Sequence, residues 1–272
     1  MFDWIADWFK QLLIDGITGN LSGLFATVDT KVAEIAGQVG QTPSGWNGSI
    51  FSMIYSLSQD VIVPIAGIIL TFVMCYELIQ MLIQKNNLHD VDTWMFFKWI
   101  FKTFIAVLLI TNTWNIVMGV FDVAQSVVNS SAGIIATQAG IDVDSSLLAM
   151  TAQLEAMDIG PLLGLWFSTL FVSLTIQILS ICIFLIVYGR MIEIYLVTSL
   201  APIPFATMVN HEWGHVGQNY LRSVIALAFQ AFLIMACIGI YAVLIQTISF
   251  GDDLTGAMWG CVGYTVLLCF AL

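Results

Sequence analysis

Long apolar stretches separated by short polar clusters dominate this chain, and the gaps between charged residues mark out its elements. Asp60 to Glu77 encloses 16 uncharged residues, Lys102 to Asp122 encloses 19, Asp158 to Arg190 encloses 31 and Arg222 to Asp252 encloses 29. The 19 residues after Asp253 carry no charge. A helix crosses a hydrocarbon core with about 20 apolar residues, because each adds about 1.5 Å. The pattern therefore predicts five transmembrane helices, over roughly 61–84, 94–118, 161–187, 222–248 and 255–272. The last reaches Leu272 without a polar stop, which predicts that the natural chain continues.

A sixth apolar stretch, 191–209, differs from these. Glu193 sits near its start, and Pro202 and Pro204 interrupt it. A straight helix does not keep its ladder through Pro-Ile-Pro. Outside the spans, residues 2–14 place Trp4, Ile5, Trp8, Phe9, Leu12 and Leu13 on one broad helical face, opposite Asp3, Asp7 and Lys10. That pattern predicts an amphipathic helix lying in the outer membrane interface or packed on neighbouring subunits. A Gly-, Ser- and Thr-rich stretch follows to Gly48, with a helical candidate at 21–37 and a turn at 41–45. In the 119–159 segment, Asp144 or Ser145 caps a predicted helix over 146–157.

Composition excludes a soluble fold. Hydrophobic residues make up 59% of the 272 positions and charged residues 9%, against about 25% charged in ordinary globular chains. Mean hydropathy is +0.94. So few charges cannot cover a soluble surface without large apolar patches. The five cysteines all lie in apolar stretches without CxxC spacing and read as packing residues. Net charge is −11 with seven bases, which argues against intrinsic DNA binding, since phosphates are held by Lys and Arg.

The same charges set the orientation. Lys85, Lys98 and Lys102 flank the loop after the first span, so that loop is cytoplasmic by the positive-inside rule. Treating 191–209 as a re-entrant, Pro-broken hairpin rather than a sixth span leaves five of seven bases inside and 13 of 18 acids outside. The expected fold is thus an all-α polytopic membrane protein with five transmembrane helices, that hairpin and the N-terminal interfacial helix. Its regions are 1–60, extracytoplasmic; 61–118, the first two spans; 119–160, an acidic extracytoplasmic loop; and 161–272, the C-terminal transmembrane region. The N-terminus lies outside and the C-terminus in the cytoplasm. Non-helical backbone at membrane depth must be buried in protein or face water, so Pro202 and Pro204 mark a candidate lumen or subunit contact.

Candidate chemistry is sparse. His211-Glu212-Trp213-Gly214-His215 matches H-E-x-x-H, in which two imidazoles on one helix face bind zinc beside a general-base Glu. An intramembrane zinc protease is therefore one alternative, with Glu193 as a conceivable third ligand. Against it, Gly214 and Gly217 weaken the helix that would serve as platform. A juxtamembrane polar turn is the simpler reading. Glu77 lies within the first span and can face Lys98 or Lys102 on the second, as a structural pair or a proton relay. Asn112, Asn115, Gln177, Gln230 and Gln246 read as interhelical hydrogen-bonding groups. Gly256-x-x-x-Gly260 gives the last span a close-packing face. A small-solute transporter is a further alternative, although no paired, Gly-broken half-repeats appear.

The block Ser199-Leu-Ala-Pro-Ile-Pro-Phe-Ala-Thr207, then Glu212-Trp-Gly, Gly217-Gln-Asn-Tyr220 and Ala226-Leu-Ala-Phe-Gln230, resembles the TrbL-like (VirB-six-like) polytopic membrane subunit of conjugative type IV secretion systems. It is most similar to the version on Gram-positive conjugative elements. The resemblance implies a non-enzymatic, homo-oligomeric channel or scaffold subunit without cofactors. It implies membrane lipid, a VirB-four-like ATPase and other conjugation subunits as partners, with the DNA–protein substrate met only in transit. The central loop would be linked to substrate passage and the region beyond Arg190 to assembly. A lumen lined by the acidic outer loops would repel phosphates, which suits a low-friction conduit or a purely scaffolding ring.

Overall fold

The computed structural model describes residues 3–83, 93–138, 143–248 and 254–272. All secondary structure among the described residues is helical. The helices are α1 (Asp3–Val39), α2 (Pro43–Trp46), α3 (Gly48–Leu57), α4 (Val63–Ile83), α5 (Thr93–Thr111), α6 (Thr113–Gln138), α7 (Val143–Ala156), α8 (Ile159–Leu200), α9 (Pro202–Thr207), α10 (Gly214–Gln246) and α11 (Leu254–Ala271). Five segments are long and apolar enough to cross a membrane: Gly48–Ile83, Thr93–Thr111, Ile159–Leu200, Gly214–Gln246 and Leu254–Ala271. They correspond to the five predicted spans, so the all-α polytopic class stands. The predicted cap at Asp144 or Ser145 lies inside α7, which begins at Val143, and Lys85 and the Asp252-Asp253 pair lie outside the described residues.

Element boundaries differ where capping and local packing outweigh hydropathy. The first span begins well upstream of residue 61, because Asn47 caps it: Asn47 Oδ1 accepts from the Ser49 and Ile50 amides at 3.1 and 3.0 Å. The helix passes Asp60 through a π turn, Ser58–Ile62. Pro64 has no N–H for the Asp60 carbonyl, and the turn ahead of it widens instead of breaking. The second span divides at Asn112. There the ladder nearly continues, with Asn112 N to Leu108 O at 3.1 Å and Ile116 N to Asn112 O at 3.0 Å. The Asn112 side chain bonds the Leu108 carbonyl of its own helix at 3.0 Å, not a neighbouring helix as expected.

Two expected loops are helical. The N-terminal amphipathic segment, the Gly-rich stretch and the 21–37 candidate fuse into α1, and most of 119–160 belongs to α6 and α7. The 191–209 segment is also redrawn. Residues 191–200 continue α8 without interruption, and the break comes only at Ala201, ahead of Pro202 at the first position of α9.

The chain forms two compact units, each described by itself. One comprises Met1–Gly40, Val128–Tyr188 and Phe232–Leu272. In it α1 packs on α7, and Lys10 Nζ donates to the Glu155 carbonyl at 2.8 Å. The predicted apolar face of α1 divides. Of its members only Leu13 is buried, continued by Ile14, Ile17 and Leu21 farther along the helix, whereas Trp4, Ile5, Trp8 and Leu12 are exposed, Trp4 at 74%. Gly16 permits close approach to α8, since a Cβ there would lie 2.8 Å from Trp166 Nε1. On α11 the buried face is Leu254, Ala257, Met258, Cys261, Val262, Thr265 and Leu268. Gly256 is exposed and Gly260 only half-buried, so the glycine pair does not mark the packed face within this chain. Tyr241 and Thr265 pair their hydroxyls at 3.0 Å between α10 and α11.

The other unit comprises Gln41–Val127 and Gly189–Ala231. Its core has three clusters. Ile54, Trp114 and Tyr195 form one, tied down by Tyr195 Oη donating to the Pro43 carbonyl at 2.6 Å. Ala201 and Phe205 join Val117, Phe121, Met191, Ile194 and Val224 in a second. Ala206 completes a third with Ala66, Leu70, Met74, Ala106 and Ile110. Consecutive residues of α9 thus enter two cores, which makes this short helix the wedge of the unit.

Candidate functional site

Tyr76, Glu77 and Gln80 lie close together on α4, a helix otherwise apolar but for Thr71. Polar groups there need partners, because an unsatisfied carboxylate in an apolar setting costs several kcal/mol. Glu77 is only 4% exposed, and both its oxygens are occupied. Lys102 Nζ donates to Oε1 at 2.5 Å and Asn210 Nδ2 donates to Oε2 at 2.8 Å. Of the two lysines weighed from sequence, the structure selects Lys102. Lys98, one turn earlier on α5, is exposed. Trp99 adds a further tie, its Nε1 donating to the Met74 carbonyl at 2.9 Å.

Asn210 carries the arrangement into the chain beyond α9. Its Oδ1 accepts from the Glu212 and Trp213 amides at 2.8 and 3.0 Å. Its carbonyl accepts from Gly214 N at 2.9 Å. This is the geometry by which an Asn side chain closes a turn and satisfies the free amides ahead of a helix. Glu212 then reaches back to α4, accepting from Tyr76 Oη at 2.9 Å and from Gln80 Nε2. The Trp213 ring stacks on Tyr76 with centroids 5.0 Å apart and planes 9° from parallel. One turn of α4 therefore holds residues 210–213 by three side-chain hydrogen bonds and a ring stack, and holds α5 by the Glu77–Lys102 ion pair.

The glycines that weaken a zinc helix have another purpose here. A Cβ on Gly217 would lie 2.5 Å from the Pro204 carbonyl and 2.9 Å from Met208 Cβ, and one on Gly214 would lie 3.0 Å from the Met208 carbonyl. Only glycine lets the start of α10 pack this closely on α9. Pro202 is buried at the start of α9, and the Pro204 carbonyl accepts from Thr207 Oγ1 at 2.8 Å.

The H-E-x-x-H platform is not formed. Residues 211–213 are turns and α10 begins at Gly214, so His211 and His215 do not share a helix face. His215 Nδ1 lies 2.9 Å from the Glu212 carbonyl, and the Glu212 carboxylate is held by Tyr76 and Gln80. Glu193 is exposed on α8. Among the described residues no three His, Cys, Asp or Glu side chains converge on a metal position.

Arg190 is the other buried charge. It is 6% exposed, with Nη2 3.5 Å from the Leu227 carbonyl and Nε without a partner among the described residues.

Sequence reasoning found Glu77 and Lys102 but missed Tyr76, Gln80 and Asn210. A signal for the first two was present, since Gln80 stands four residues from Tyr76 and three from Glu77, the spacings at which helical side chains are neighbours. Asn210, just ahead of the polar turn into α10, is an N-terminal capping signal.

A family model described as TrbL/VirB6 plasmid conjugal transfer like protein matches residues 28–202. No curated protein and no solved structure matches the chain. The family match covers the end of α1 and the whole of α2 to α8, and ends at Pro202, the first residue of the wedge helix.

Proposed function

The chain belongs to the TrbL/VirB6-like plasmid conjugal transfer family, and on that premise we propose that it is an oligomeric subunit that encloses or scaffolds the substrate path of a conjugative type IV secretion system. It is a multi-pass conjugal transfer membrane protein. The family match carries this reading. Two structural observations support its finer parts.

The first concerns oligomerisation. In the α5 window only 11% of the residues are buried within the chain, and even the best-packed candidate span reaches 39%. Such helices need lipid or further copies around them. The second concerns substrate. Of the five bases whose side chains are described, Lys102 is paired, Lys10 is bonded to a backbone carbonyl and Arg190 is buried. Only Lys98 and Arg222 stand exposed and unengaged. With so few free cations among the described residues, the subunit surrounds a polyanion without gripping it, because affinity for phosphates scales with the charges that neutralise them.

In this reading the N-terminus is outside and the C-terminus cytoplasmic, α9 with its flanking turns is the re-entrant element, and the Glu77 cluster holds that element against the first span. A VirB-four-like ATPase and the other transfer subunits are its partners. The deciding experiment is a gene deletion complemented in trans. DNA transfer should fall to background without the protein and return with it, and undiminished transfer in the deletion strain refutes the reading. Native mass spectrometry of the lipid-embedded protein should give a closed oligomer, whereas a monomer refutes enclosure. Cysteines placed at 142 and 252 should both label from outside intact cells.

A further inference from the structure

α8 presents two different faces over its first 30 residues. Phe167, Phe171, Leu174, Ile178, Ile181 and Leu185 are exposed and follow one another at spacings of three and four, a continuous apolar stripe. The face turned toward α1 is another matter. Trp166, Thr169, Ser173, Ile176, Ser180, Ile183 and Val187 also recur at three and four, but mix small polar with apolar residues.

Along that second face α1 and α8 run in the same direction. Gly16 meets Trp166, Asn20 Nδ2 donates to Thr169 Oγ1 at 3.1 Å, and Glu34, Ile35 and Gln38 face Ser180 to Tyr188. Between these contacts the helices stand apart. The gap is a groove of about 220 Å³, open along one side and lined by Gly19, Asn20, Gly23 and Thr27 of α1 and by Ser173, Ile176 and Gln177 of α8. Neither Gly19 nor Gly23 has an atom within 4 Å of where a Cβ would stand. Thr27 spends its hydroxyl on the Gly23 carbonyl at 2.7 Å, while Ser173 and Gln177 have no side-chain partner among the described residues.

We propose that this seam is a hydrated crevice cut into a membrane helix, occupied by water and open to small hydrophilic solutes. Volume and chemistry agree on the occupant. At about 30 Å³ of liquid volume per water, the groove accommodates roughly seven. Among the described residues its lining supplies two carboxamides and two hydroxyls but no ionised group, so it binds water without selecting an ion. Acyl chains do not fit there, because they would leave the amide and hydroxyl groups without partners. The division of α8 is then physical: one stripe for lipid, one for water. The crevice stands independently of the conjugation reading, since a conduit or a scaffold can carry it.

Thiol accessibility tests this. In a background with Cys75, Cys182, Cys237, Cys261 and Cys269 replaced by Ser or Ala, single variants Ser173→Cys, Gln177→Cys and Gly23→Cys are treated in cells with a charged methanethiosulfonate. Leu174→Cys and Ile178→Cys report the lipid stripe, and Ser44→Cys, exposed on the short helix α2, reports reagent activity. The crevice thiols should react at least about tenfold faster than the stripe thiols, since each pK unit by which an apolar setting raises a thiol removes tenfold of its thiolate. Silence at 173, 177 and 23 while Ser44→Cys labels overturns the proposal. Equal rates on both faces of α8 overturn it too, because the stripe is then not in lipid. Disulfide-linked dimers through Ser173→Cys overturn it in favour of a second copy filling the seam. DNA transfer that depends on the protein but persists in the labelled variants separates failure of the crevice from failure of the conjugation reading.

Discussion

Glu77→Ala is the most informative single change. It removes the acceptor for two donors at once, Lys102 at 2.5 Å and Asn210 at 2.8 Å. Breaking a buried ion pair by deleting one partner costs about 3–5 kcal/mol, and an orphaned buried amide about 1–3 kcal/mol. Those figures overlap, and Lys102 is 30% exposed, so its ammonium can turn toward water on a flexible stem. We therefore expect about 2–4 kcal/mol for Glu77→Ala. For a chain of this size that is about 5–15 °C in the melting midpoint, at 2–4 °C per kcal/mol. Glu77→Gln keeps an acceptor for Asn210 and should cost about half as much. The assay is thermal unfolding of the detergent-purified protein, run as a double-mutant cycle with Lys102→Met. The double variant Glu77→Gln/Lys102→Met should recover part of the loss of either single variant, because no charge is left unpaired. Additive losses within about 0.5 kcal/mol would mean the two residues are uncoupled and would refute the buried pair.

Three further outcomes follow from the same structure. Gly217→Ala should destabilise by about 1–3 kcal/mol through overpacking against Pro204 and Met208, and expose the 208–213 turns to limited proteolysis. Gly67→Ala, with open space around its site, should be neutral or slightly stabilising; similar behaviour of the two refutes the close α9–α10 approach. Cys182 on α8 and Cys269 on α11 lie in side-chain contact, so copper–phenanthroline should link them within one chain. Cys269→Ser should abolish that link, and an intermolecular product would contradict the packing. Zinc analysis of purified protein should show no metal lost on changing His211 and His215 to Ala, while a stoichiometric loss would restore the protease alternative.

The turn after α9 shows how much of the site was legible. The pairing of Glu77 with a lysine of the next span followed from charge alone, because an ionised group inside an apolar helix needs a counter-charge. Which lysine it takes did not follow, since Lys98 and Lys102 stand four residues apart on the same helix. The H-E-x-x-H string shows the opposite limit. Its residue types match a zinc site, but the string assumes a helix, and Asn210 spends its side chain holding 211–213 as turns. Gly214 and Gly217 looked like poor helix formers; their reason is the Pro204 carbonyl lying where a side chain would stand.

Charge gaps and apolar run lengths were enough for the membrane class and the five candidate spans, because the cost of placing an ionised group in hydrocarbon acts residue by residue. The Pro-Ile-Pro break was equally local, since proline removes a donor wherever it stands. Tertiary contacts alone decided the remainder. The glycine-rich stretch became part of α1 because Gly16 can lie against Trp166, and residues 191–200 stayed in α8 because Met191, Ile194 and Tyr195 find buried partners there. Helix ends, the choice between two lysines and the side of α8 that carries a polar crevice all depend on what stands opposite, and composition along the chain carries no record of that.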